Sequence, residues 1–181
     1  MAQNYWFIPL ETMFYEALDY YDLSGWSIEP MPNNIDTSRE ALMQGQRKWP
    51  FRTHNARAKF KCRNCGKKWT SSYTTVIWRA RWSTGIVQII IEKQGCQRCN
   101  TNCQGILTDE DEIEFALDWM CIWILDVFYG IRDEDTHSGD DEPDDDEESK
   151  GPHDYQRCAA RKKRTCRKCN KMRRRRNPNH T

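Results

Sequence analysis

No stretch of about 18 apolar residues occurs anywhere in this chain, so no segment reads as a membrane-spanning helix. The start, Met1-Ala2-Gln3-Asn4-Tyr5-Trp6, lacks a basic region followed by an apolar core and does not read as a signal peptide. There is no Gly-rich phosphate loop, no His-Glu-x-x-His and no nucleophile elbow, so the sequence reads as non-catalytic, with no small-molecule substrate. A deaminase-type zinc centre would need a His-x-Glu or Cys-x-Glu ahead of Pro-Cys-x-x-Cys, and that too is missing. Aliphatic content is low: mean hydropathy is −0.94. The core must therefore lean on aromatics, of which there are eight Trp and seven Tyr.

What is present is cysteine, nine in 181 residues. An odd count without a secretory leader favours metal-bound thiolates in a reducing compartment over a disulfide framework. Cys62-Arg63-Asn64-Cys65-Gly66 is one half of a zinc knuckle, with the glycine allowing the turn to leave at positive φ. Cys96-Gln97-Arg98-Cys99 is the other half, at the end of the next apolar stretch. Zn²⁺ takes four tetrahedral ligands, and two such pairs supply them.

The pattern between the pairs explains how they meet. Ala56 to Cys62 reads as a strand entering the first knuckle, with Ser71-Ser72 as a break after Trp69. Tyr73 to Arg81 and Ile86 to Glu92 read as strands around a Ser83-Thr84-Gly85 turn. Val87, Ile89 and Ile91 face one way, and Ile86, Gln88, Ile90 and Glu92 the other. An antiparallel hairpin then returns Cys96 and Cys99 to Cys62 and Cys65.

Two helices are expected to cover this ribbon. Leu10, Met13, Phe14, Leu18 and Tyr21 fall at helical spacing, with Pro9 in the first turn. Leu107 to Gly130 is the clearest helix, capped by Thr108 with Asp111 at the return position and stopped by Gly130. Its apolar stripe includes Cys121, read as plain core. Phe115, Trp119, Ile122 and Trp123 widen the stripe, either because two sides are gripped or because part is an exposed aromatic patch. Glu29 to Asn55 reads as a loop with a short helix near Ser38 to Gln44. The expected fold is α+β: a small zinc-ribbon-like antiparallel β core with one long amphipathic helix and an N-terminal helix.

The near-zero net charge of +1 hides segregation. Asp133 to Glu148 is almost purely acidic and will not fold alone. Arg161, Lys162, Lys163, Arg164 and Arg173, Arg174, Arg175, Arg176 make a run with the charge to bind a polyanion. The organisation expected is an N-terminal segment over 1–55, a zinc-binding core with its helix over 56–130, an acidic insertion over 131–150, a late Cys/His segment over 151–170 and a basic tail over 171–181. A second metal site would combine Cys158, Cys166 and Cys169 with His153 or Cys103. Alternatively, Cys96 and Cys99 share a metal with the late cysteines.

Taken together, Ala58-Lys59-Phe60-Lys61-Cys62-Arg63-Asn64-Cys65, Trp69-Thr70-Ser71-Ser72, Gly85-Ile86-Val87, Cys96 with Cys99, Phe128-Tyr129-Gly130, and His153-Asp154 ahead of Cys158 resemble the 3CxxC-type zinc-finger proteins. Within them the likeness is to the receptor-transporting proteins, to which Phe14-Tyr15-Glu16 and Gly25-Trp26 are also similar. The likeness implies a zinc-dependent chaperone whose partners are G-protein-coupled odorant and taste receptors on their way to the cell surface. It implies a cytoplasmic protein, peripheral at the endoplasmic reticulum or plasma membrane. Related 3CxxC proteins bind RNA. The family's third pair is Cys-x-x-Cys, whereas here Cys158 is followed by Ala159, Ala160 and Arg161. Most receptor-transporting proteins carry a C-terminal membrane anchor, which this sequence does not show.

Overall fold

The computed structural model describes residues 5–131 and Lys163. In chain order the elements are α1 (Ile8–Tyr20), β1 (Ser27–Pro30), α2 (Arg39–Gly45), β2 (Phe51–Lys61), β3 (Lys68–Arg81), β4 (Ile86–Ile91), β5 (Gln94–Gly95), β6 (Asn102–Cys103), β7 (Gly105–Ile106) and α3 (Glu110–Ile124). A 3₁₀ turn, Trp82–Thr84, joins β3 to β4, and a π-turn, Leu125–Tyr129, extends α3. This is the α+β fold expected.

Five strands form one sheet in the order β1-β4-β3-β2-β7, antiparallel except for β1, which runs parallel to β4. β5 and β6 form a separate two-stranded hairpin. One sheet face carries Ala56, Ala58 and Phe60 from β2, Val76, Trp78 and Ala80 from β3, and Val87, Ile89 and Ile91 from β4. Helices α1 and α3 pack on each other over that face. Helix α1 buries Leu10, Phe14 and Leu18, four residues apart along one stripe. Helix α3 buries Ile113, Ala116, Leu117, Met120, Cys121, Trp123 and Ile124. Cys121 is core, as the stripe indicated.

The other sheet face has its own smaller cluster, Met31, Leu42 and Ile77, with Ile35, Phe51 and Ile90 packed around it. Helix α2 supplies Leu42. Its start is fixed by Ser38, whose hydroxyl accepts from the Ala41 N–H. The alternation read along β4 is therefore real on both sides: odd positions enter the main core, while Ile90 serves the second cluster.

Four local expectations change. Glu29 to Asn55 is not a loop alone, since Glu29 and Pro30 belong to edge strand β1 and β2 already begins at Phe51. The polar run Arg52-Thr53-His54-Asn55 hides this, because His54 goes into the core. Its ring stacks against Trp78 and Trp119, and its Nδ1 accepts from Trp78 Nε1 at 3.1 Å. Ser71-Ser72 does not break the chain. β3 continues through it, with a register shift opposite Ala56 and Ala58, so the serines mark a bulge. Helix α3 starts at Glu110 with Asp109, not Thr108, at the cap position. Asp109 makes no cap bond and instead pairs with Lys59 on β2 at 2.7 Å. Trp123 is buried and cannot be part of an exposed patch.

Phe115 on α3 is exposed, and a further aromatic group lies elsewhere. The π-turn brings Phe128 and Tyr129 against Trp82 and Trp26 at the far end of β3. The Trp26 indole N–H donates to the Tyr129 hydroxyl at 3.2 Å. Trp82 and Ile131 are each 57% exposed there. β3 has 14 residues, so this end lies about 40 Å along the strand from its start beside the first knuckle.

Candidate metal centre

The two knuckles are built alike. In the first, between β2 and β3, the Cys62 N–H donates to Lys67 O at 2.8 Å and the Gly66 N–H to Cys62 O at 3.0 Å. In the second, between β5 and β6, the Cys96 N–H donates to Thr101 O at 2.9 Å and the Asn100 N–H to Cys96 O at 2.8 Å. Gly66 turns with φ +72°, and Asn100 does the same work at φ +56°. Asparagine tolerates the left-handed region better than most residues, which is why the second turn needs no glycine.

β3 starts at the first knuckle and β4 returns to the same end, so the two turns face each other. Lys67 Nζ on one turn donates to Gln97 Oε1 on the other at 2.7 Å. Trp69, stacked on Phe60 with ring centroids 5.1 Å apart, donates its indole N–H to Gln94 Oε1 at 3.2 Å. Gln94 Nε2 in turn donates to Ser71 Oγ at 2.9 Å. These residues fix the second hairpin on the sheet.

The result is four sulfurs in one place. Cys62 Sγ lies 3.5 Å from Cys99 Sγ, and Cys65 Sγ lies 3.5 Å from Cys96 Sγ. All four lie within 4.8 Å of one another. Sulfurs at about 2.3 Å from one tetrahedral ion would stand about 3.8 Å apart, so the cluster fits a single Zn²⁺. Cys62 and Cys96 are buried, while Cys65 and Cys99 are partly exposed.

Hydrogen bonds prepare two of the thiols for ionisation. The Thr101 hydroxyl and N–H, with the Asn64 side chain, hold Cys99 down at about 6. The N–H groups of Cys65 and Asn64 lower Cys62. The Lys67 N–H pulls Cys65 down as well, but burial and the neighbouring thiols outweigh it and push Cys65 up to about 11. A cation arriving at Cys62 and Cys99 would supply the charge that Cys65 needs to lose its proton. A fifth thiol, Cys103, sits behind the cluster against Cys62, with its Sγ 3.2 Å from Thr101 O. Burial, then Cys62, push it up to about 11.

Residues 55–164, more than half of the chain, match the zinc-binding domain of the 3CxxC zinc-ribbon family. The chain belongs to that family. Zinc is its cofactor, as the four-cysteine cluster and the family together establish. No curated protein and no solved structure matches this 3CxxC protein significantly. Four thiolates fill the coordination of one zinc, so the ion in this 3CxxC domain holds two turns together.

Of the other residues expected to carry function, His153, Cys158, Cys166 and Cys169 lie outside the described residues, as do Arg161, Lys162, Arg164 and Arg173 to Arg176. Lys163 is described, and its ammonium is engaged by the Glu92 carboxylate. The sequence reading missed the residues that brace the knuckles, namely Gln94, Gln97, Thr101 and Asn100. The Asn100-Thr101 pair directly after the second cysteine was the available signal, because it matches the position of Gly66 and Lys67 after the first.

Proposed function

We propose that this 3CxxC protein is a non-catalytic, zinc-dependent binding protein of the receptor-transporting type, whose clients are G-protein-coupled chemosensory receptors. The observation that carries the reading is the aromatic end of the sheet. Trp82, Tyr129 and Ile131 are exposed together there, and the backbone is specialised to put them there: Gly25, Gly85 and Gly130 all have positive φ, next to a π-turn. Several residues that carry the resemblance to receptor-transporting proteins fall at this end, as Gly25-Trp26, Gly85 and Phe128-Tyr129-Gly130, and others at the metal. The largest exposed apolar cluster on a protein surface is often a place where a partner binds. Among the described residues no helix is long and apolar enough to cross a membrane. The test is co-expression with odorant and taste receptors, scored by receptor at the cell surface. A rise that is lost in a Trp82→Ala, Tyr129→Ala double variant with normal zinc content supports the reading. Receptor levels indifferent to the protein reject it.

A second reading, RNA binding, is favoured by guanidinium groups lying over indole rings. Arg52 stands 4.8 Å from the Trp119 centroid, and Arg79 stands 4.5 Å from that of Trp49, with Arg81 beside it at 5.9 Å. Such pairs place cations for phosphate contact beside aromatic side chains. A single-stranded RNA that binds with no dependence on salt, or not at all, rejects it.

A further inference from the structure

The second sheet face carries a polar row beside its apolar cluster. Asn55, Thr75 and Glu92 are cross-strand neighbours on β2, β3 and the residue following β4, with the Glu92 N–H donating to Thr75 O at 2.9 Å. Glu92 is only 4% exposed, and Thr37 from the segment before α2 covers it. The Thr37 hydroxyl donates to Glu92 Oε1 at 3.0 Å. A carboxylate taken this far out of water needs a cation. Among the described residues that cation comes from 71 residues away in sequence. Lys163 Nζ lies 3.0 Å from each Glu92 oxygen and 2.7 Å from Thr37 Oγ1.

The main chain is held as well. The Arg39 N–H, at the start of α2, donates to the Lys163 carbonyl at 3.1 Å. Asp36 adds a further negative charge on the same side. The row has spare acceptor capacity, since Thr75 Oγ1 and Asn55 Oδ1 are buried without hydrogen-bond partners. Side chain and backbone of one residue are thus both bonded by groups of the domain, with the Lys163 side chain still 39% exposed and the Glu92 side chain 5%.

We propose that Glu92 and Thr37 form an internal lysine receptor, that Lys163 is its ligand, and that this docking ties Lys163 to the zinc domain while withholding its cation from polyanions. A buried carboxylate that depends on one distant lysine makes the attachment sensitive to that lysine's charge. Acylation of Lys163 would remove the charge and leave Glu92 buried and unpaired. The withholding of a cation rests on polyanion binding by the run, but the receptor itself does not, and the two halves have separate readouts.

The first readout is the rate at which each lysine of the zinc-loaded full chain is acetylated by limiting N-hydroxysuccinimidyl acetate, resolved by mass spectrometry. Lys163 should react on the order of tenfold more slowly than Lys162 and Lys168, and in Glu92→Gln it should rise to their rate. Thr37→Val, which keeps the carboxylate, should give an intermediate rate and covers the case in which Glu92→Gln fails to fold. A Lys163 as reactive as Lys162 in the unaltered protein, or equally slow in both variants, overturns the receptor. The second readout is binding of a poly(U) oligonucleotide across a salt series. Glu92→Gln should steepen the slope of log K against log salt by about 0.7, one extra phosphate contact on a single strand, while Lys163→Gln leaves it unchanged. Identical slopes for Glu92→Gln and the unaltered protein, a shallower slope for Lys163→Gln, or no binding by any form overturns the withholding.

Discussion

A Cβ placed on Gly85 would stand 2.0 Å from the carbonyl oxygen of Gly25. The two glycines let the turn after β3 press on the segment entering β1, and the Ser27 N–H then donates to Gly85 O at 2.7 Å. This approach puts Trp26 beside Trp82, with ring centroids 6.0 Å apart. Gly85→Ala should therefore cost more than the roughly 1–2 kcal/mol of a left-handed alanine, because backbone must also move. Gly130→Ala has φ +67° but nothing within 4 Å of the added methyl, and should cost only that strain. Denaturant unfolding of the two variants side by side checks the order. Equal costs would mean that the Gly25–Gly85 contact is not as tight as described.

The cysteines divide into two behaviours. Cys62→Ser should lower the zinc content of the protein by one equivalent and sharply reduce its thermal stability, since structural zinc supplies folding free energy of about 10 kcal/mol or more in small domains. Cys121→Ser removes a thiol that is fully buried in α3 and far from the cluster along the helix, so zinc content should stay unchanged while stability falls by about 1–3 kcal/mol. Native mass spectrometry with melting curves reads both. Unchanged metal content in Cys62→Ser would remove the ligand assignment.

Alkaline pH should unfold the helical layer before it disturbs the metal. Burial pushes Cys121 up to about 12 from 9.0, and burial with the Asp118 carboxylate pushes Tyr21 up to about 12 from 10.0. Both are neutral acids held protonated by the fold. Above their unfolded values the unfolded chain binds fewer protons than the native one, so stability falls as pH rises. The loss should begin near pH 9 from Cys121 and steepen above pH 10 as Tyr21 joins it. Cys121→Ala with Tyr21→Phe should flatten this limb in urea titrations made from pH 8 to 11.5. An unflattened limb would place the alkaline sensitivity elsewhere.

The metal centre was legible because four identical ligands at a fixed spacing announce themselves, and because β4 alternates strictly enough to show a strand returning. The helices were legible from their stripes. Edge strand β1 and the first half of β2 were not. β1 has four residues ending in Pro30, and β2 opens with Arg52, Thr53, His54 and Asn55, none of which signals a buried strand by hydrophobicity. His54 is inside because Trp78 gives it a hydrogen bond and Trp119 a stacking face, and both partners are remote in sequence. On α3, Phe115 is exposed but Trp123 is buried, and the exposed aromatic end beside Trp82 was not legible at all. A π-turn shifts the helical phase beyond Leu125, so Tyr129 is turned out to solvent while Phe128 still packs on the core. Tertiary geometry, rather than composition, chose which tryptophans are exposed.

Gln94 offers a test of how the sheet and the metal communicate. Its carbonyl oxygen takes the Trp69 indole N–H, and its amide nitrogen reaches Ser71 Oγ and Thr74 Oγ1, so the residue two places before Cys96 is bonded to β3 three times. It touches no sulfur, yet it sets where the second knuckle stands relative to the first. Gln94→Leu keeps the volume and removes all three bonds, leaving the Trp69 donor without its acceptor. Zinc affinity, measured by competition with a chromophoric chelator, should fall by about tenfold while stoichiometry is retained, the lower end of what outer-shell residues are worth at metal sites. Gln94→Glu, which preserves the acceptor for Trp69, should recover most of the loss. If both variants bind zinc as the unaltered protein does, the two knuckles find each other through the metal alone, and the bracing from β3 is incidental to the site.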